Sequence, residues 1–133
     1  MSNETKMSPN ELTGAIIAAA IEVHRFLGPG CLEHAYQKCL EHELQLRGIR
    51  FVAQRKLPLV YKGMKVPAGY RIDVWVDQRV IVELKAVDNL APVHHAQLLT
   101  YLRLTECQLG LLINFNVPVL KDGIRRVVNN FQG

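Results

Sequence analysis

Arg71-Ile72-Asp73-Val74-Trp75-Val76-Asp77-Gln78-Arg79-Val80-Ile81-Val82-Glu83-Leu84-Lys85-Ala86 is the stretch around which the rest of the chain arranges itself. Apolar and polar residues alternate over 71–76 and again over 80–86, and Asp77-Gln78-Arg79 between them is short and polar. This pattern predicts two antiparallel strands joined by a tight loop. In the first arm Ile72, Val74 and Val76 share one face, and Arg71, Asp73 and Trp75 share the other. In the second arm Val80, Val82, Leu84 and Ala86 oppose Ile81, Glu83 and Lys85. Bringing the apolar rows together sets Val76 against Val80 and Ile72 against Leu84. The same register sets Asp73 opposite Glu83 and Arg71 opposite Lys85. A slip of one residue would send both apolar rows to the wrong faces, so the register is well specified.

Directly opposed residues in such a hairpin have Cβ atoms roughly 4.5–5.5 Å apart. Two carboxylates at that spacing repel, and a hard divalent cation removes the objection. Asp73 and Glu83 are therefore candidate metal ligands. Lys85 lies on the same face two residues past Glu83, where an ammonium can orient water or stabilise charge developing on a phosphate. Arg71, Asp73, Glu83 and Lys85 also fit a solvated ladder of surface ion pairs, which is common and contributes little to stability.

On the N-terminal side, Ser8-Pro9-Asn10-Glu11 reads as a capping box with proline at the first helical position. A helix rich in Ala and Ile follows to about Phe26, expected to be buried on most sides and stopped by Gly28-Pro29-Gly30. A second helix is expected from about Leu32 to Arg47. Glu33 falls on its stripe with Tyr36, Leu40 and Leu44, which looks like the core side. A carboxylate there either serves the helix dipole from the first turn or is a third acidic group aimed at the hairpin. Phe51 to Tyr61 is extended in character, with Lys62-Gly63 as a turn.

On the C-terminal side, Pro92 opens a helix to about Thr105. His94, Gln97 and Tyr101 form one line along it, and Leu98, Leu99 and Leu102 provide packing on another side. Leu109 to Phe115 reads as a buried strand, and Val119 to Val128 as a last strand or hairpin arm bent at Gly123. The order α-α-β-β-β-β-α-β-β implies one α/β domain over residues 1–133, with 1–7 flexible.

Bulk properties agree. The chain has 133 residues, 49% of them hydrophobic and 21% charged, enough apolar content for a core and too little charge for disorder. The net charge of +4 is compatible with an anionic partner without demonstrating one. Cys31, Cys39 and Cys107 are odd in number and lack CxxC spacing, which argues against a zinc ribbon or disulfide framework. The N-terminus has no secretory h-region and no apolar run reaches spanning length, so no membrane role and a cytoplasmic location are expected.

Four motifs in this order resemble the PD-(D/E)XK nuclease superfamily, and within it the small bacterial proteins named for a GxxExxY motif. Here that motif is Gly30 to Tyr36. Arg71-Ile72-Asp73 with Glu83-Leu84-Lys85 resembles the metal-site signature, His94-His95-Ala96-Gln97 through Tyr101 the helical Q-x3-Y element, and Gly110 to Phe115 the strand after it. Ile72 stands where the superfamily's "PD" proline would be. The resemblance, which runs from about Glu11 to Val128, implies a restriction-endonuclease-like core, a mixed β-sheet flanked by helices. It also implies a phosphodiesterase using Mg2+ (or Mn2+), with Asp73, Glu83 and Glu33 at the metal. Lys85 would be the catalytic lysine, Glu33 an additional acidic member, and Gln97 and Tyr101 would support the site or touch substrate. The implied partner is nucleic acid, DNA ahead of RNA, in repair or defence. Arg55, Lys56, Lys62, Lys65 and Arg71 lie near the hairpin and are placed to meet phosphates. By analogy with small junction resolvases, a homodimer with two sites is expected. The alternative is a catalytically weak or inactive module that binds nucleic acid or protein and retains the nuclease fold.

Overall fold

The computed structural model describes residues 6–67 and 69–132. Most of the stretch expected to be flexible, residues 1–5, lies outside them; Met7 is held, its carbonyl accepting a hydrogen bond from Arg79 at 2.7 Å. Helix α1 spans Pro9–Leu27 and α2 spans Glu33–Leu46. Strands β1 (Phe51–Lys56), β2 (Leu59–Tyr61), β3 (Met64–Val66), β4 (Arg71–Val76) and β5 (Val80–Lys85) follow, then α3 (Pro92–Thr105), β6 (Leu109–Asn114) and β7 (Ile124–Val128).

Helix α1 starts where its cap dictates. The Ser8 hydroxyl accepts from the Glu11 N–H, and the Glu11 carboxylate accepts from the Ser8 N–H. It ends at Gly28, whose φ of +68° suits a residue without a Cβ. The expectation that α1 is buried on most sides does not hold. Leu12, Ile16, Ala19, Ala20 and Val23 form one buried stripe, while Ile21 and Phe26 face outward.

The main sheet has the order β1-β4-β5-β6-β7. Only β5 and β6 run parallel; the other neighbours are antiparallel, so the sheet is mixed. Two differences from the sequence expectation have local causes. Phe51 to Tyr61 is not one strand: Pro58 has no N–H for a ladder, and β2 leaves the main sheet to pair with β3. Among the described residues five strands, not four, therefore precede α3. In the last segment Leu120–Gly123 is a 3-10 turn and only Ile124–Val128 is strand. A Cβ at Gly123 would run into the Asn114 carbonyl oxygen, so this turn requires glycine.

Helices α1 and α2 cover one face of the sheet, over Val74, Val76, Val80, Val82, Leu84, Leu111 and Ile113. Helix α3 covers the other, over Ile81, Leu112 and Val127. Strand β6 is buried along its whole length, which is why its sequence is apolar without alternation. Each fully buried Leu or Ile contributes about 1.5–3 kcal/mol relative to exposure.

One buried aromatic connects this core to the start of α2. Tyr36 is wholly buried and stacks on Phe115 at a centroid distance of 4.6 Å. Its hydroxyl donates to the Gly28 carbonyl at 2.6 Å and accepts from the Cys31 N–H at 3.0 Å. The phenol thus clamps the 28–31 loop and fixes where α2, and hence Glu33, begins. Tyr36→Phe keeps the ring and removes the clamp, leaving a partly buried carbonyl and N–H unpaired. The variant is expected to lose about 1–3 kcal/mol in urea denaturation with an unchanged m-value.

Candidate active site at a parted hairpin

The β4–β5 ladder follows the expected register at Val74↔Val82, Trp75↔Ile81 and Val76↔Val80. Beyond Val74 it stops. The expected backbone pairings of Asp73 with Glu83, Ile72 with Leu84 and Arg71 with Lys85 are absent, and side chains occupy the gap. The Asp73 N–H donates to Glu83 Oε1 at 3.1 Å, and the Leu84 N–H donates to Asp73 Oδ2 at 3.0 Å. Each carboxylate is thus held by the main chain of the opposite strand. Ile72 also departs from the expected row: it packs with Ile81, Leu98 and Tyr101 under α3, so the pleat of β4 is interrupted at Asp73.

The β1 side is interrupted at the same residue. β1 pairs with β4 at Ala53↔Val74 and Arg55↔Ile72, but Gln54, opposite Asp73, makes no ladder pair. Gln54 adopts a left-handed φ of +53°, a conformation costing on the order of 1 kcal/mol or more for a residue with a side chain. Its amide donates to Gln37 Oε1 at 2.7 Å, and Gln37 Nε2 donates to the Asp73 carbonyl at 3.2 Å. The Asp73 main chain is therefore taken from both neighbouring strands by side chains. Gln37 and Gln54 were not singled out from sequence. Gln37 carried a signal, since it sits one helical turn after Glu33 on the same line; Gln54 carried none without the β1–β4 register.

Electrostatics mark the same spot. Glu83 is 4% exposed, and its carboxyl is pushed up to about 9, first by burial and then by the charge of Asp73. Asp73 is also raised by burial, with the Leu84 N–H bond opposing. Lys85 is half-buried, and its ammonium acts on all three carboxyls, lowering Glu33, Asp73 and Glu83 alike. Among the described residues it makes no ion pair of its own.

The other expected members are distributed around this pair. Glu33 is the first residue of α2 and is exposed, not buried with Tyr36, Leu40 and Leu44 as the stripe suggested. Its carboxyl is nonetheless raised by partial burial and by Asp73, against Lys85 and His94. Whole-residue exposure and the desolvation of its carboxyl differ; both fit a side chain at the rim of the site. Tyr101 is only 3% exposed. Its hydroxyl accepts from Gln97 Nε2 at 3.1 Å, and burial together with Glu83 raises the phenol. His94 is occupied in capping α3, its Nδ1 accepting from the Ala91 N–H at 2.9 Å. Asn114, beside Lys85 in the β5–β6 register, is buried and holds the Val87 main chain through both amide atoms. A polar residue closing an apolar strand was the available signal for it.

Paired carboxylates that accept main-chain N–H groups and keep further lone pairs suit a hard cation. Asp73 and Glu83 fit that requirement. Among the described residues no group of three or more His, Cys, Asp or Glu is gathered closely enough to hold a metal ion by itself. A separate concavity at the other end of the sheet, lined by Gln45, Phe51, Trp75 and Asp77, contains one carboxylate, which is already paired with Arg50 and Arg79.

The raised Glu83 carboxyl has a defined stability signature in chelator. A folded pKa above the ordinary carboxylate value makes the folded state bind the proton more tightly than the unfolded state. That stability is present below about pH 4.5 and is lost as pH rises toward about 9. Glu83→Gln removes the loss. The variant is expected to gain on wild type by up to about 1.4 kcal/mol per pH unit across this window, measured by denaturation at pH 5, 6.5 and 8. A stability difference that does not change with pH would contradict it.

No match was found among curated proteins or among solved structures. A family model described as the PD-(D/E)XK nuclease superfamily matches residues 10–127. That span takes in the parted hairpin, both glutamines, α3 and the β6 strand, together with the mixed α/β sheet that carries them. No helix among the described residues is long and apolar enough to cross a membrane. The chain belongs to the PD-(D/E)XK nuclease superfamily.

Proposed function

We propose that this protein is a metal-dependent nuclease that hydrolyses phosphodiester bonds of nucleic acid, DNA ahead of RNA. The observation that carries the reading is the exchange at the parted hairpin, where Asp73 and Glu83 each bind the other strand's main chain within the field of Lys85. In this reading Asp73 and Glu83 would hold Mg2+ or Mn2+, with Glu33 at the rim as an additional acidic member. The bound cation supplies Lewis-acid polarisation of the phosphate and lowers the pKa of water. Lys85 orients the attacking water and stabilises negative charge developing on phosphorus oxygens. Gln97 fixes the Tyr101 hydroxyl, which lines the site beside Glu83. We further place the chain in the GxxExxY group, as a single nuclease-like domain acting in the cytoplasm, with a homodimer as its working form.

The second reading is a catalytically weak or inactive module that binds nucleic acid or protein and retains the nuclease fold, and the modest net charge of +4 favours it.

A cleavage panel decides between them, covering single-stranded, duplex, flapped and branched DNA and RNA with Mg2+ or Mn2+. Lys85→Ala and Glu83→Gln are each expected to lower the rate by roughly 100-fold or more. Cleavage that survives both substitutions overturns the assignment. Mg2+ at about 100 times its Kd is expected to stabilise wild type by about 2.7 kcal/mol, raising its Tm and leaving that of Asp73→Asn unchanged.

A further inference from the structure

Charge along this chain is segregated. From Leu44 to Ile72 there are seven Lys and Arg and no Asp or Glu. This stretch alone exceeds the +4 of the whole chain, so the remainder is net acidic. Its middle forms the β2–β3 hairpin, a two-stranded sheet separate from the main one. Pairing sets Tyr61 beside Met64 and Leu59 beside Val66 on one face, with Val60 and Lys65 on the other. Tyr61 is 58% exposed and Met64 59%, large apolar side chains at the tip of a ribbon. The Lys62 ammonium lies 5.3 Å from the Tyr61 ring centroid, so cation and aromatic surface are presented together.

The base of this ribbon is at the candidate active site. Lys56 pairs with Arg71, and the Leu57 N–H donates to the Tyr70 carbonyl at 2.9 Å. The hairpin therefore leaves the sheet two residues from Asp73, at the end where the strands part. Arg55, Lys56 and Arg71 are exposed at its root, and Lys62 and Lys65 at its tip. An isolated two-stranded ribbon is marginal in water, and exposing aromatic and thioether groups on one adds nothing to folding. The arrangement suits a partner that offers anionic charge along its sides and, between them, polar base edges for the Tyr61 hydroxyl with thymine methyls for the Met64 thioether. B-form DNA duplex has that chemistry, and its major groove admits a two-stranded ribbon.

We infer that the β2–β3 hairpin is the arm that grips a nucleic-acid duplex beside the acidic site, with Tyr61 and Met64 in the groove and the five root and tip cations on the flanking phosphates. The inference rests on the nuclease reading for its partner class. It is distinct from that reading, because binding can be measured without cleavage.

The probe is a fluorescein-labelled 30-base-pair DNA duplex, titrated with the whole chain in EDTA at several salt concentrations. Lys62→Ala/Lys65→Ala is expected to weaken binding tenfold or more and to lower the salt slope by about two. Tyr61→Ala/Met64→Ala is expected to weaken binding without changing the slope. Arg50→Ala/Arg103→Ala removes the same charge elsewhere and is expected to stay within about twofold of wild type. Arg50 adjoins the far hairpin loop and Arg103 lies in the last turn of α3. All these positions are exposed, so the variants are expected to fold, which thermal melts check. Equal weakening by the hairpin and control pairs overturns the inference while leaving the nuclease reading intact. So does unchanged duplex affinity accompanied by an altered oligomeric state in Tyr61→Ala/Met64→Ala, which assigns the tip to a second copy of the chain. Wild type that neither binds duplex nor cuts any substrate sinks the nuclease reading itself.

Discussion

The structure turns on one exchange, in which two carboxylates replace part of a β-ladder. Where β4 and β5 would continue as main-chain pairs, Asp73 and Glu83 accept the N–H groups instead. The main-chain donors remain satisfied, so the local cost of parting the strands is small. Most of the unfavourable energy lies in bringing two acids together under poor solvation. That energy is available to anything cationic that reaches the pair, and the Lys85 ammonium already acts on both carboxyls.

The rest of the fold keeps this opening from closing. On one side, β6 holds β5 along its entire length, ending at Lys85↔Asn114. On the other, Gln54 and Gln37 take the Asp73 main chain toward α2. Above, Tyr36 fixes the loop that starts α2; below, Tyr101 and Leu98 pack under Ile72. A rigid sheet thus carries a local defect whose walls come from both helical layers. This is how sites gain precision from scaffold elements rather than loops.

Much of this was legible in the sequence. The Ser8–Glu11 box and Pro9 gave α1 its start to the residue, and Pro92 did the same for α3. The alternation around Asp77-Gln78-Arg79 gave the correct hairpin register for its closed half. The open half was not legible, because alternation describes a continuous pleat and carries no term for side chains that capture main-chain donors. Glu33 was misplaced for a related reason: periodicity assigns a stripe, yet the first residue of a helix escapes the core its stripe enters. Gln54 stayed hidden because its neighbour across the sheet is distant in sequence and its left-handed φ has no compositional mark. The division at Pro58 was a rule available in advance, obscured by extended residues on both sides.

The separateness of the β2–β3 ribbon has a consequence for how such a chain diversifies. Its two ends are pinned by Lys56↔Arg71 and the Leu57–Tyr70 hydrogen bond, so its length is decoupled from the sheet. Lengthening a closed loop is inexpensive, about 0.6 kcal/mol for each doubling. Residues inserted or lost between those pins leave Asp73, Glu83 and Lys85 where they are. The fold therefore places an appendage of adjustable length next to a carboxylate pair that the sheet holds independently of it.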